Sequence, residues 1–190
     1  YNGIVVYETT GLSGIESPDG LTDQEMRQWV TQSLDHTRRT IEKARAANLD
    51  VYIFYDALVL GCNTVEEHGL QVCCTNGTGM LCPAAGEALA RSSSGLGHLL
   101  GQLPPVDGVV LRFGDNDASR LPYLVGNDLY QPNCSRCADL KLEDRIVRFI
   151  DAFYELVVNQ MDLRLIVRAW NVRPGGMHDL DDLCRSLADR

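Results

Sequence analysis

The sequence predicts an α/β protein built as a partial TIM-type (β/α) barrel, about four consecutive β/α units of a larger barrel, in a single domain over residues 1–190. Three observations lead there. Short β-branched apolar runs alternate with long helical stripes. Helix-to-strand joins are short while strand-to-helix joins are long, which is where α/β folds gather function. No nucleotide signature follows any strand: Gly95-Leu-Gly97 lies inside a helical pattern, and there is no phosphate loop. An open doubly wound sheet is the alternative architecture.

The elements follow in order. Gly3–Glu8 (GIVVYE) reads as the first strand. A loop marked by Gly11, Gly14, Pro18 and Gly20 leads to Thr22-Asp23-Gln24-Glu25, a capping box. Met26, Trp29, Val30, Leu34, Thr37, Ile41 and Ala44 then place a helix running to Ala47. Asp50–Asp56 (DVYIFYD) is the second strand. A loop rich in Gly, Asn, Thr and Cys is expected from Cys62 to Leu81. Pro83 suits a first helical turn, and that helix runs to Leu100 through a weak patch at Ser92-Ser93-Ser94-Gly95. Residues 107–113 form the third strand. A long polar loop from Gly114 to Lys141 precedes a stripe of Ile146, Phe149, Ile150, Phe153 and Val157. Residues 163–170 form the fourth strand, and a last helix is expected over 179–188.

Composition narrows the function classes. Apolar content of 45% and charged content of 23% describe an ordinary globular chain, with no run long enough to span a membrane. A net charge of −9 argues against nucleic acid, whose phosphates need concentrated Lys and Arg. It also argues against an anionic membrane surface. Seven cysteines, six of them in two loop regions, together with the sequons Asn76-Gly-Thr78 and Asn133-Cys-Ser135, point to a secreted, disulfide-stapled glycoprotein. The bridges are expected among Cys62, Cys73, Cys74, Cys82, Cys134 and Cys137, with Cys184 left over. Cys134-Ser-Arg-Cys137 lacks the second pair that a zinc site requires and sits too deep in a loop for thioredoxin-like chemistry. No metal and no cofactor are expected.

There is no Gly-x-Ser-x-Gly elbow and no His-Glu-x-x-His helix. Chemistry then rests on the strand ends, which parallel strands bring to one rim. They carry Glu8, Asp56, Arg112 followed by Asp115 and Asp117, and Trp170 with Asn171 followed by His178. Two carboxyl groups and aromatic faces are the inventory of glycoside hydrolysis. Asp115 and Asp117, spaced by two, share a direction in extended backbone, and each raises the other's proton affinity. They are the catalytic candidates. Glu8, Asp56, Arg112, Trp170, Asn171 and His178 are the substrate-binding candidates. Arg112 orients a carboxylate, binds an acidic sugar or closes an internal salt bridge. The expected partner is a polysaccharide or oligosaccharide substrate, with no nucleic acid and no membrane insertion. A non-catalytic, cysteine-stapled barrel that binds carbohydrate or protein is the rival reading.

Val106-Asp-Gly-Val-Val-Leu-Arg-Phe-Gly-Asp115, preceded by a helix opening near Cys82-Pro83, resembles the fourth-strand region of glycoside-hydrolase-like barrel proteins related to α-glucuronidases and hexosaminidases. Arg164-Leu-Ile-Val-Arg-Ala-Trp-Asn-Val-Arg-Pro-Gly-Gly-Met-His178 is similar to their next strand. Asn133-Cys-Ser-Arg-Cys137, followed by Asp144-Arg145 and Phe149, resembles relatives with C-x-x-C in the same loop. The resemblance implies an eight-unit barrel, a sugar site at its carboxyl mouth and an acidic residue after the fourth strand. Asp115 matches that position, where many relatives carry Glu.

Overall fold

The computed structural model describes residues 2–7, 12–13, 15, 23–70, 72–75, 78–82, 84–113, 124–126, 137–169 and 185. Four strands form a parallel sheet in the order β1 (Gly3–Val6), β2 (Asp50–Asp56), β6 (Gly108–Phe113) and β8 (Arg164–Ala169). These are the four expected strands, parallel and adjacent in chain order. Their register runs Val6 beside Ile53, Ile53 beside Val109 and Val109 beside Leu165.

Between them lie α1 (Gln24–Ala46), α3 (Gly86–Gln102) and α4 (Leu142–Tyr154), the last running into a π-helical segment, Glu155–Gln160. The cap of α1 is Asp23, one residue past the expected Thr22: its carboxylate accepts from the Met26 amide at 2.9 Å. Glu25 in the first turn and Lys43 and Arg45 in the last complement the helix dipole. The turns out of α1 and the π-helical segment pass through Asn48 and Asp162, both at positive φ (56° and 54°). Short Asx side chains tolerate that conformation, so each turn reverses the chain within two or three residues.

All three helices pack on one face of the sheet. Val30, Leu34 and Ile41 of α1, Leu96 and Leu99 of α3, and Phe149 and Phe153 of α4 share a core with Val6, Ile53, Tyr55, Val109 and Leu111. The Tyr55 ring lies 6.1 Å from that of Phe153, and its hydroxyl donates to the Ser92 carbonyl at 3.0 Å. Ser92 is thus a buried anchor in a continuous helix, where the serine patch suggested weakness. Its hydroxyl accepts from the Leu58 amide at 2.9 Å, holding a bend in which Leu58 has φ 52°.

The segment expected as a loop from Cys62 to Leu81 contains structure. It holds α2 (Cys62–Glu67) and an antiparallel hairpin of β4 (Val72–Thr75) and β5 (Thr78–Leu81). A two-residue strand β3 (Leu60–Gly61) pairs with β7 (Leu124–Val125) from the third strand-to-helix connection. The Leu81 amide donates to the Gly126 carbonyl at 2.8 Å, so the two long connections are tied together. The helix after Pro83 begins at Gly86 and runs to Gln102. The expected last helix lies outside the described residues except for Arg185, which is helical. Among the described residues no helix is long and apolar enough to cross a membrane. No closed barrel is formed by the four strands described.

Candidate functional site at the carboxyl rim of the sheet

Strand residues alternate between the two faces, so the side chains that do not meet the helices form rows across the sheet. The row at the amino end joins Val5, Tyr52, Gly108 and Arg164. A Cβ on Gly108 would come within 2.8 Å of the Tyr52 ring, so glycine gives that ring its bed. Arg164 donates to the Tyr52 hydroxyl at 2.8 Å, and Asp50 lies 3.5 Å from the same guanidinium. Those interactions hold the Arg164 guanidinium more firmly protonated than usual, the Tyr52 hydrogen bond first.

The middle row is apolar: Phe54, Val110 and Ile166, with Tyr7 beside Phe54. The last row is charged: Asp56, Arg112 and Arg168. The face turned away from the helices therefore grades from aromatic and apolar at its middle to ionic at the carboxyl ends of the strands, the rim on which α/β folds place ligands.

At that rim Asp56 and Arg112 form a buried, two-point ion pair. Arg112 Nε and one terminal nitrogen donate to the two Asp56 carboxylate oxygens, the second at 2.6 Å. Fork-on-carboxylate geometry is the strong form of this contact. The Asp56 amide donates to the buried Ser13 hydroxyl at 3.0 Å, and the Ala57 amide donates to the Arg112 carbonyl at 3.0 Å. Phe54 lies beneath: the Arg112 and Arg168 guanidinium carbons stand 5.2 and 5.6 Å from its ring centroid. The Tyr7 ring meets it at 4.7 Å with a 32° tilt.

The structure thus brings Asp56 and Arg112 together. Both carboxylate oxygens of Asp56 accept from one guanidinium, which fixes the side chain in place. Glu8, Asp115, Asp117, Trp170, Asn171 and His178 lie outside the described residues. Two residues of the rim, Arg168 and Ser13, escaped the sequence reasoning, while Tyr7 was read as an aromatic strand end beside Glu8 and not as a binding candidate. Arg168 shares the face of Asp56 and Arg112, so counting by two through the strand register finds it. Ser13 sits in a loop that carries no periodic signal.

The cysteine region lies on the connections beyond the same strand ends. Cys82 and Cys137 are buried, and Cys62 opens α2. Burial, with help from the Glu66 carboxylate, pushes the Cys62 thiol above its ordinary range. These three form no disulfide with one another. Cys134 and Cys184, and the side chains of Cys73 and Cys74, lie outside what is described. Among the described residues no group of three His, Cys, Asp or Glu side chains is placed to hold a metal ion. No protein-family model matches the chain, and neither a curated protein nor a solved structure does.

Proposed function

We propose that this chain is about four consecutive β/α units of a (β/α) barrel and acts as a secreted, carbohydrate-active domain of glycoside-hydrolase type. The observation that carries the reading is the sheet with its three connecting helices on one face and a charged carboxyl rim on the other. A doubly wound sheet clothes both faces with helices. Here the strands follow chain order and α1, α3 and α4 share one face, which is the winding expected of a barrel wall. The other face then becomes barrel interior, and the row of Asp56, Arg112 and Arg168 becomes its mouth.

In this reading Asp115 is the general acid or base and Asp117 its partner. Glu8, Asp56, Arg112, Trp170, Asn171 and His178 contact the polysaccharide or oligosaccharide. Cysteines and sequons in the loops beyond the rim fit an extracellular site. The engagement of Asp56 by Arg112 favours a second reading, a non-catalytic barrel that binds carbohydrate or protein, because the one described rim carboxylate is committed to orientation.

A glycan array combined with a panel of chromogenic glycosides tests both. Turnover of any glycoside supports the hydrolase, and glycan binding without turnover supports the binding barrel. In a protein with turnover, Asp115→Asn is expected to cut the rate by about 10²-fold or more while keeping the fold. The loss should be smallest on substrates with good leaving groups. Full activity of Asp115→Asn on a natural glycan would remove Asp115 from the mechanism.

A further inference from the structure

We infer that Tyr7 is a sugar-stacking residue, its ring a platform at the carboxyl rim that takes the apolar face of a pyranose ring. The inference rests on the carbohydrate reading above and adds to it a residue and a mode of contact.

The argument begins with burial. Tyr7 keeps 58% of its surface exposed, while Phe54, which it touches, keeps 1%. Phe54 is covered by Tyr7, Arg112 and Arg168, so the middle row is already sealed at this point. Tyr7 is therefore the outer layer of a stack whose inner layer is complete. It also follows the last residue of β1, so it stands at the carboxyl end of that strand, beside Phe54 and next to the ionic row.

Next comes orientation. A tyrosine ring orders only two side-chain torsions, and here contact with a clamped phenylalanine limits them further. A platform that is ordered beforehand forfeits little entropy when a ligand lands on it. The negative face of an aromatic ring attracts the polarised C–H groups on the apolar side of a sugar. Across the same Phe54 ring the half-buried Arg168 guanidinium supplies a charged donor suited to hydroxyls, while the Asp56–Arg112 pair beneath is engaged with itself. An apolar face with a few convergent polar groups is the usual make-up of a small-ligand site.

The test is saturation-transfer NMR and calorimetric titration with soluble cello-oligosaccharides, xylo-oligosaccharides and oligogalacturonides. Wild type, Tyr7→Ala, Tyr7→Phe and, as an exposed aromatic elsewhere, Trp29→Ala are compared. Transfer from the Tyr7 ring to sugar C–H protons is expected in wild type. Tyr7→Ala should weaken binding about tenfold, the value of one aromatic contact, while Tyr7→Phe and Trp29→Ala stay close to wild type. A folded Tyr7→Ala that binds as wild type does would remove the platform and leave the carbohydrate reading standing. Should Tyr7→Ala not fold, absence of transfer from the Tyr7 ring in wild type overturns the inference equally. Wild type that binds none of the sugars sinks both.

Discussion

Arg112 grips both carboxylate oxygens of Asp56 across the β2–β6 pair, inside a site where the two side chains are only 7% and 2% exposed. Taking two charges out of water is costly, and the attraction between them offsets that only while both remain. Asp56→Ala or Arg112→Ala alone should therefore lower stability by about 3–5 kcal/mol, since each strands the partner's charge. Replacing both together, as Asp56→Leu with Arg112→Met, should cost much less than the sum. Urea denaturation of the four proteins measures the coupling. Additive losses would mean that the pair is not the unit described.

Gly108 gives a steric prediction. A Cβ there would stand 2.5 Å from the Arg164 carbonyl oxygen and 2.8 Å from the Tyr52 ring. Neither the neighbouring backbone nor a ring held by Arg164 yields easily. Gly108→Ala is expected to destabilise by about 1–3 kcal/mol, the range for overpacking. Gly86→Ala, where nothing lies within 4 Å, should be neutral or stabilising. Thermal melts of the two variants should move apart, and equal melts would contradict the packing at the amino row.

Ser92 joins α3 to the bend after β2 through the Leu58 amide. Ser92→Ala removes that acceptor from a buried donor, which costs about 1–3 kcal/mol. Amide hydrogen exchange at Leu58 should accelerate along with the loss of stability. Unchanged exchange would show that the bend holds itself without the serine.

The π-helical segment carries a pH prediction. Hydrogen bonds from Asn159 and then Gln160 hold the Glu155 carboxyl below its ordinary 4.5. A carboxyl lowered on folding adds stability that is fully present above its unfolded value and fades as pH falls through the folded one. Because Glu155 is wholly exposed, the contribution is small and the titration itself is the better readout. Carboxyl carbon NMR should give a midpoint below 4.5, and Asn159→Ala should move it back up. A midpoint unaffected by that substitution would break the assignment.

Much of the parallel sheet and its helices was legible in the sequence because their signals are periodic. Asp50–Asp56 was found with its boundaries unchanged, and the stripe of Val30, Leu34, Thr37, Ile41 and Ala44 is the buried face of α1. The hairpin of β4 and β5 was missed because four-residue strands rich in Cys, Thr and Gly repeat too little to register. Serines read as helix-weakening at 92–94, yet Ser92 earns its place by two tertiary hydrogen bonds that no local rule records. At the rim, strand ends pointed to Asp56 and Arg112 separately. Their union depends on register, which places them as neighbours though they lie 56 positions apart in the chain. Arg168 follows from the same register only once it is known.

The winding of the sheet also bears on how the chain assembles. Within the four-stranded sheet each strand pairs with the preceding strand of that sheet, so each new pairing closes a loop of similar length. Loop-closure entropy rises slowly with length, and no pairing within this sheet has to wait for a strand beyond the next. A chain emerging from the ribosome amino end first can lay down one β/α unit at a time, each strand offering its free edge as the template for the next. The helix that follows then seals only one side of the growing sheet. The ion pair at the rim is completed as soon as the third strand of the sheet, Gly108–Phe113, docks on the second.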